Sequence, residues 1–349
     1  GSLGSAVSGA GYDGYAGMMF ALVFISGAQQ GLYTMVPQAT GAGNPTQVGV
    51  LLQLVLLWNT VAFGIPTALA WASMGSVMRH TGMLSVAAPN CGVGGNATLP
   101  HEAPPSAADL LAMEHEATLI SSYGLASVAY LAPYVWCMTL TTWLESVEVV
   151  QEAETIAACG SLAKIFLTWL FMFRLDGGLN GFAWASAVAY SGQLAALLTV
   201  VFACKRHHAP YWRGWDLAAA MDTTLTRRFL WLSAPLIFQY ATNNVANLTL
   251  QMLMSSECED LASAYGVTSS FTNTAGSVSM ALYVAVSVRV GTNLGEGRPL
   301  AARRVMWMGF GFASVAGGLI AIGLYAFRSE LAHFFTDDEG VHALAVSVR

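Results

Sequence analysis

Eight apolar runs, each about 20 residues long or longer, limit most strongly how this chain can fold. They cover residues 14–36, 47–73, 119–141, 155–173, 180–204, 229–254, 261–288 and 305–327, and a ninth begins near Gly340. A helix of about 20 apolar residues crosses a bilayer while pairing its own backbone groups. Charged residues make up only 10% of the 349 residues, whereas ordinary soluble domains contain about 25%. The sequence therefore predicts an all-α fold, a polytopic bundle of transmembrane helices in a lipid bilayer.

The composition also excludes several classes of protein. The net charge of -6 is spread along the chain without a basic stripe, so we expect no nucleic-acid partner. Five irregularly spaced cysteines give no zinc pattern, so we expect no metal site. The sequence contains no phosphate-binding loop, His-Glu-x-x-His or Gly-x-Ser-x-Gly motif. The chain is therefore predicted to be no enzyme and to need no cofactor, and an ion gradient would supply its energy.

Basic residues orient the predicted spans. With residues 37–47 in the cytoplasm, the segments 142–154, 205–228 and 289–304 are cytoplasmic as well. These segments hold nine Lys and Arg residues and the opposite side holds three, in agreement with the positive-inside rule. The segment 74–118 then lies outside, where a sequon makes Asn96 a candidate glycosylation site. Four cytoplasmic carboxylates are predicted to form a solvated acidic face: Glu145, Glu148, Glu152 and Glu154.

Two polar segments resemble each other: TMVPQATGAGNPTQVGV at 34–50 and VRVGTNLGEGRPLAARR at 288–304. Each follows a span that ends in the cytoplasm and precedes a span that leaves it. Six crossings separate them, so both copies have the same orientation, which predicts a parallel repeat of six-helix units as in secondary transporters. Glycine permits a tight turn, and proline suits the start of a helix. The predicted structural hinge residues are Gly41, Gly43, Pro45, Arg289, Gly295, Gly297 and Pro299.

Three stretches of the sequence are typical of one transporter family. They resemble parts of the multidrug and toxic compound extrusion (MATE) family of antiporters. The stretches are QATGAGNPTQVGVLLQ, ASAVAYSGQLAALL followed by WRGWDL, and SVRVGTNLGEGRPLAARR. They are similar to the loop after its second helix, to its sixth helix with the inter-lobe linker, and to the loop after its eighth helix.

The resemblance implies two pseudo-symmetric six-helix lobes, of which this chain holds the second to ninth helices and is truncated at both ends. It places the N-terminal lobe at residues 1–204, with an extracellular insertion at about 80–112. A cytoplasmic linker would follow at 205–228. An incomplete C-terminal lobe would then occupy residues 229–349.

The span 229–254 carries polar residues at helical spacing. Candidates to line a substrate or ion pathway share one stripe, with spacings of three and four residues: Tyr240, Asn243, Asn247 and Gln251. The alternative for Asn243 and Asn247 is that their amides join neighbouring helices. The resemblance implies an acidic residue at Asn243, and a glutamate at Ser270 in some eukaryotic members. Here both positions are uncharged, and Asn273 lies nearly one turn beyond Ser270.

Lys164 is the only ionisable residue deep in a predicted span, at a position where the family more often has a neutral amide. A charge at that depth costs at least a few kcal/mol. Lys164 therefore either binds an anion or takes part in proton coupling, or it pairs with a carboxylate of a helix outside this sequence. Gln30 and Tyr33, on the first span, either face the same cavity or pack in the core.

These features together predict a secondary active antiporter that exports small organic molecules, organic cations or metabolites, in exchange for H+ or Na+. Two alternatives stay open. Lys164 and the missing carboxylates favour an organic-anion exporter, and the missing helices favour a truncated membrane protein that transports nothing. We expect a monomer that binds a small organic substrate in the plasma membrane or the vacuolar membrane.

Overall fold

The computed structural model describes residues 22–81, 107–257 and 259–326, and every regular element in this part of the chain is helical. Four sequence predictions fall wholly or mostly outside the described residues. They are the glycosylation site at Asn96, the insertion at about 80–112, the start of the first apolar run at 14–21, and the ninth run near Gly340. The predicted fold class, an all-α polytopic bundle, is confirmed.

Eleven α-helices follow one another in the described ranges. They are α1 (Val23–Gln30), α2 (Leu32–Gly41), α3 (Pro45–Leu57), α4 (Ile65–Thr81), α5 (Ala107–Ser146), α6 (Val150–Trp169), α7 (Gly178–Leu198), α8 (Leu217–Ala220), α9 (Thr223–Glu257), α10 (Glu259–Gly295) and α11 (Pro299–Ala326). Wider π-helical turns interrupt the regular pattern. The segment Trp58–Gly64 joins α3 to α4, Leu170–Arg174 extends α6, and Thr199–Cys204 extends α7.

Six stretches among the described residues are long and apolar enough to cross a membrane. They are Pro45–Met74, Ala117–Ser146, Val150–Arg174, Gly178–Cys204, Ala275–Gly295 and Pro299–Gly323. The chain is thus a multi-pass membrane protein. The predicted run 229–254 lies in α9 but is not one of the six, because its asparagines and glutamines lower the mean hydropathy of that helix.

The described residues form two compact units, each with its own packing. The first contains residues 22–81, 114–244 and 287–302. In its core α2 packs on α3 and α6 packs on α7, around fully buried leucines such as Leu52, Leu144 and Leu197. Exposed Leu162 and Ile165 on α6 give this unit an apolar outer surface suited to lipid.

The second unit contains residues 107–113, 245–257, 259–286 and 303–326. Here α11 approaches α10 so closely that a Cβ atom at Gly309 would overlap the side chain of Val286. Large apolar side chains of α11, among them Trp307, Phe310 and Leu319, are exposed. The lobe boundaries predicted at 1–204 and 229–349 remain a prediction.

The segment between α7 and α9 is fixed to α3 by one buried amide. Gln53 is 2% exposed; its Nε2 atom donates to the Gly214 carbonyl at 2.9 Å, and its Oε1 atom accepts from the Asp216 amide at 2.7 Å. The Trp143 ring meets the Tyr211 ring edge-on, with the ring centroids 5.7 Å apart. These contacts give the linker a defined position on the first unit.

The two hinge turns have the same backbone geometry. Gly43 has φ 69° and Gly297 has φ 73°, a left-handed conformation that glycine adopts without steric cost. The following prolines, Pro45 and Pro299, are the first residues of α3 and α11, where the missing N–H leaves no helical bond unmade. In each turn the third residue past the helix end donates its amide five residues back, at 3.0 Å and 2.8 Å.

The hinges also lie directly against each other. A Cβ atom at Gly41 would overlap the Thr292 carbonyl oxygen, and a Cβ atom at Gly295 would overlap the Gln38 carbonyl oxygen. In each hinge segment, the glycine that ends the helix therefore lies against the backbone of the other segment. This reciprocal contact lies wholly within the first unit.

Candidate substrate and ion site

Gln30 and Tyr240 join α1 to α9 through a hydrogen bond between their side chains. Gln30 Nε2 donates to the Tyr240 hydroxyl oxygen at 3.1 Å, and Gln30 itself is 8% exposed. Its amide oxygen Oε1 is buried and has no hydrogen-bond partner among the described residues. A buried acceptor without a donor costs about 1–3 kcal/mol, so this oxygen is a ready contact for a ligand or water.

A second set of polar side chains meets at Thr139 on α5. Gln29 Nε2 and Asn59 Nδ2 each donate to Thr139 Oγ1 at 3.3 Å, and the Thr139 hydroxyl donates to the Val135 carbonyl at 2.8 Å. Thr139 and Asn59 are fully buried, and Asn59 Oδ1 has no described partner. Polar groups inside a membrane protein must face other protein groups or water, and here they link α1, α5 and the π-helical turn after α3.

Glu145 does not belong to the solvated acidic face predicted for this junction. It is 8% exposed, and it accepts a hydrogen bond from the hydroxyl of Tyr33, which is also buried. Thr142, on the preceding turn of α5, contacts the same hydroxyl. The prediction was wrong because Glu145 lies one turn beyond buried Thr141 and Thr142, on the inner face of the helix.

The other three carboxylates of the junction reach solvent. Glu148 is about half exposed and forms an ion pair with Arg289, with Nη1 and Oε1 3.4 Å apart. Glu152 lies 3.5 Å from a ring nitrogen of His207. Glu154 is exposed on α6, and its carboxyl group faces that of Glu145. One buried and three accessible carboxylates therefore lie at the junction between α5 and α6.

Lys164 on α6 lies against two aromatic rings of α7. Its Nζ atom is 5.1 Å from the centre of the Phe182 ring and 5.0 Å from that of Tyr190, and 3.4 Å from the Tyr190 hydroxyl. Within the described ranges, no carboxylate lies within ion-pair distance of it. Ring faces stabilise a cation by about 0.5–2 kcal/mol and leave its charge intact. Gln30, Tyr33 and Lys164 thus each have different partners.

The remaining predicted site residues lie on α9 and α10. Asn243 and Asn247 follow Tyr240 along α9, and both side chains are exposed. Asn273, on α10, is exposed as well, whereas the side chain of Ser270 lies outside the described residues. That these four residues line a substrate or ion pathway remains a prediction.

Sequence reasoning missed the residues around Thr139. Asn59 and Gln53 are polar positions inside the apolar run 47–73, and a polar side chain in a membrane span must turn toward protein. That rule would have identified both. Only the packing of α1 against α5 reveals that Gln29 and Asn59 share one acceptor, since no sequence spacing links them.

Comparison with known proteins finds relatives in one family. The MatE family model matches residues 235–348. Multidrug resistance protein NorM of Aliivibrio fischeri is 25% identical over 230 residues, which cover 64% of this chain and 49% of that protein. Protein DETOXIFICATION 31 of Arabidopsis thaliana is 23% identical over 330 residues, covering 93% of this chain and 56% of that protein. The chain is therefore similar to MATE family proteins, in its C-terminal third by the family model and over most of its length by these relatives.

Solved MATE structures match almost all of the chain. The eukaryotic MATE transporter AtDTX14 superposes with a TM-score of 0.74 at 18% identity, covering 98% of this chain and 69% of that chain. An outward-facing multidrug resistance MATE family transporter gives a TM-score of 0.75 at 16% identity, covering 99% and 70%. The chain therefore has the MATE fold. It spans about half the length of the curated relatives it matches.

Proposed function

We propose that this protein is a secondary active antiporter, and not an enzyme, that exports small organic molecules in exchange for H+ or Na+. Similarity to the MATE family and the names of the relatives, multidrug resistance and toxin extrusion proteins, support export of organic compounds. Organic cations or neutral metabolites are the proposed substrates. A monomer in the plasma membrane or the vacuolar membrane is the proposed working form.

The observation that carries the proposal is the bond between Gln30 and Tyr240. Gln30 lies in the proposed N-terminal lobe and Tyr240 in the proposed C-terminal lobe, and the amide oxygen of Gln30 is a buried acceptor with no described donor. A substrate with a hydroxyl, amine or amide N–H group would satisfy this oxygen. It would thereby bind to both lobes at once through a neutral polar contact.

In this mechanism the two lobes alternate between states open to opposite sides of the membrane. Substrate stabilises one state and the coupling ion stabilises the other, and each shifts the populations only by its difference in affinity for the two states. Breaking the contact between Gln30 and Tyr240 would separate α1 from α9. A substrate that replaces this contact could then hold one state in preference to the other.

Export of organic anions is the second candidate, and Lys164 favours it. Its ammonium group lies 5.1 Å from the centre of the Phe182 ring and 5.0 Å from that of Tyr190, with no described carboxylate at ion-pair distance. An uncompensated cation inside a membrane protein attracts a negatively charged substrate group. The uncharged Asn243 removes one of the acidic groups that the family resemblance implies for binding cations.

Uptake into liposomes containing the full-length protein tests both candidates. An imposed pH or Na+ gradient would drive a quaternary amine in one series and citrate in another. Under the first candidate, Gln30→Ala raises the half-saturating concentration of the amine by about tenfold, the equivalent of one hydrogen bond. Tyr325→Phe, at an exposed tyrosine of α11, should leave it unchanged.

Lys164 decides the second candidate. If citrate is the substrate, Lys164→Ala should abolish its uptake, while Lys205→Ala, at the exposed second lysine of the chain, should not. Citrate uptake that survives Lys164→Ala rules out this form of the anion hypothesis. A full-length protein that moves neither solute under either gradient would instead favour a membrane protein without transport activity.

A further inference from the structure

Glu145 occupies a position that disfavours a negative charge in two ways. It lies in the last turn of α5, which contains no basic residue, at the negative end of the helix dipole. It is also 8% exposed, and among the described residues no Lys or Arg forms an ion pair with it. The hydrogen bond from the Tyr33 hydroxyl offsets part of the cost of burying this carboxylate. A neutral glutamine would fit this position without either cost, so the carboxyl group calls for a functional explanation.

Two titratable groups face Glu145 from the helices packed around it. Tyr33 of α2 donates its hydroxyl proton into a hydrogen bond with Oε2 of Glu145, and the carboxyl group of Glu154 approaches from α6. Tyr33 is 5% exposed, whereas Glu154 is exposed. Glu145 therefore has a buried, fixed hydrogen-bond donor on one side and a carboxylate in contact with water on the other.

We propose that Glu145 carries the proton that drives transport and that Glu154 relays it to cytoplasmic water. This inference rests on the proposed antiport function and names its coupling ion as H+. A proton that has crossed from the outer side binds the Glu145 carboxylate. Glu145 then transfers this proton to the Glu154 carboxylate, so that Glu145 becomes ionised and Glu154 neutral. Glu154 releases the proton to water and regains its charge, and both groups return to their starting state.

Through Tyr33, the contact between α2 and α5 would depend on the charge of Glu145. Its hydroxyl donates to the ionised carboxylate and thereby links α2 to the end of α5, through a charge-assisted hydrogen bond that is stronger than a neutral one. Protonation of Glu145 weakens this hydrogen bond. Tyr33 keeps its own proton throughout and acts as a positioning residue. Because α2 leads directly into the hinge at Gly41, weakening the hydrogen bond between Tyr33 and Glu145 would let the helix before the first hinge move relative to α5.

The test compares Glu145→Gln with Glu148→Gln in liposomes that contain the full-length protein. Two assays use the same quaternary amine: accumulation driven by a pH gradient, and exchange of labelled for unlabelled amine without any gradient. We expect Glu145→Gln to lower accumulation by about tenfold or more while exchange continues, because exchange needs no proton transfer. Glu148→Gln, at the accessible glutamate paired with Arg289, should retain both activities. Substrate-dependent proton flux, followed with a trapped pH-sensitive dye, should disappear only in Glu145→Gln.

Two further variants separate coupling from folding. Glu154→Gln should slow proton release and lower accumulation, again with exchange intact. Tyr33→Phe should keep proton flux but change the pH at which accumulation is half-maximal. We expect detergent-solubilised Glu145→Gln to melt close to the wild-type temperature. The glutamine amide oxygen can still accept from Tyr33, and the weaker, neutral hydrogen bond is offset by removal of a buried charge.

Each remaining outcome would count against the proposal. Full pH-driven accumulation by Glu145→Gln would overturn it, and so would wild-type transport that responds only to a Na+ gradient. A Glu145→Gln protein that loses both exchange and thermal stability would show that the carboxyl group is structural. If the wild type performs neither accumulation nor exchange, the proposed antiport function itself fails, a result that differs from all the others.

Discussion

Gly41 and Gly295 each lie against a backbone carbonyl of the other's helix: Gly41 against Thr292, and Gly295 against Gln38. The two glycines end α2 and α10, and the turns that follow share one geometry. A close approach between helices that involves backbone rather than side chains is typical of membrane proteins, where small residues permit it. The two similar segments therefore share one turn geometry and also lie against each other.

A methyl group at either glycine should destabilise the protein. Gly41→Ala and Gly295→Ala place a Cβ atom where a carbonyl oxygen already lies, so the helices must separate, at a cost of about 1–3 kcal/mol. Gly311→Ala is the matched control. Among the described residues, apart from its own helix backbone, no atom lies within 4 Å of its Cβ position, so this change should leave stability equal or slightly higher. Thermal denaturation in detergent, followed by gel filtration, measures the effect. Equal melting temperatures for Gly41→Ala and Gly311→Ala would refute the contact.

Glu148 lies in a third turn of the same kind, but without glycine. It has φ 66°, a conformation that costs a non-glycine residue about 1–2 kcal/mol. Glu148→Gly should therefore raise the melting temperature, although it also removes the exposed ion pair with Arg289, worth about 0–1 kcal/mol. Glu148→Gln removes the ion pair alone and keeps the strain, so it should change stability little. If Glu148→Gly is no more stable than Glu148→Gln, the backbone conformation at residue 148 does not destabilise the protein.

Gln53 should determine whether the linker stays on α3. Gln53→Ala leaves the Gly214 carbonyl and the Asp216 amide without their shared partner, which costs about 1–3 kcal/mol. We expect faster trypsin cleavage after Lys205 and Arg206, followed by gel electrophoresis. Gln151→Ala, at an exposed glutamine, should be cleaved at the wild-type rate. Cleavage of Gln53→Ala at that same rate would show that the hydrogen bonds of Gln53 to Gly214 and Asp216 do not hold the linker in place.

Thr139 should be far more sensitive to loss of its hydroxyl than another threonine of α5. Thr139→Val removes the acceptor shared by Gln29 and Asn59, and two buried amides without partners should cost about 1–3 kcal/mol each. Thr118 also bonds the carbonyl four residues before it, at 2.8 Å, but it is exposed. Thr118→Val should therefore change the melting temperature by little. A similar loss in both variants would mean that the shared acceptor contributes nothing.

The sequence predicts the helices of this protein better than its site. Apolar runs of membrane-spanning length locate the spans, because a bilayer admits few other structures, and glycines at a fixed spacing predict the repeat. The polar contacts could not be predicted in the same way. The sequence predicts Glu145 in solvent because it lies in a cluster of four glutamates, a pattern typical of a solvated face. The partners of Gln30 and Lys164 depend on which helices meet, and a single sequence does not encode that in any local pattern.

The π-helical turn Trp58–Gly64 affects how this chain is compared with its relatives. A π-helical turn accommodates one residue more than an α-helical turn, and one residue rotates everything after it by about 100° around the helix axis. Positions before Trp58 and after Gly64 therefore do not keep a common phase. An alignment with a relative that has an unbroken α-helix here should open a one-residue gap between these two positions. Otherwise every residue of α4 would be matched to the wrong face.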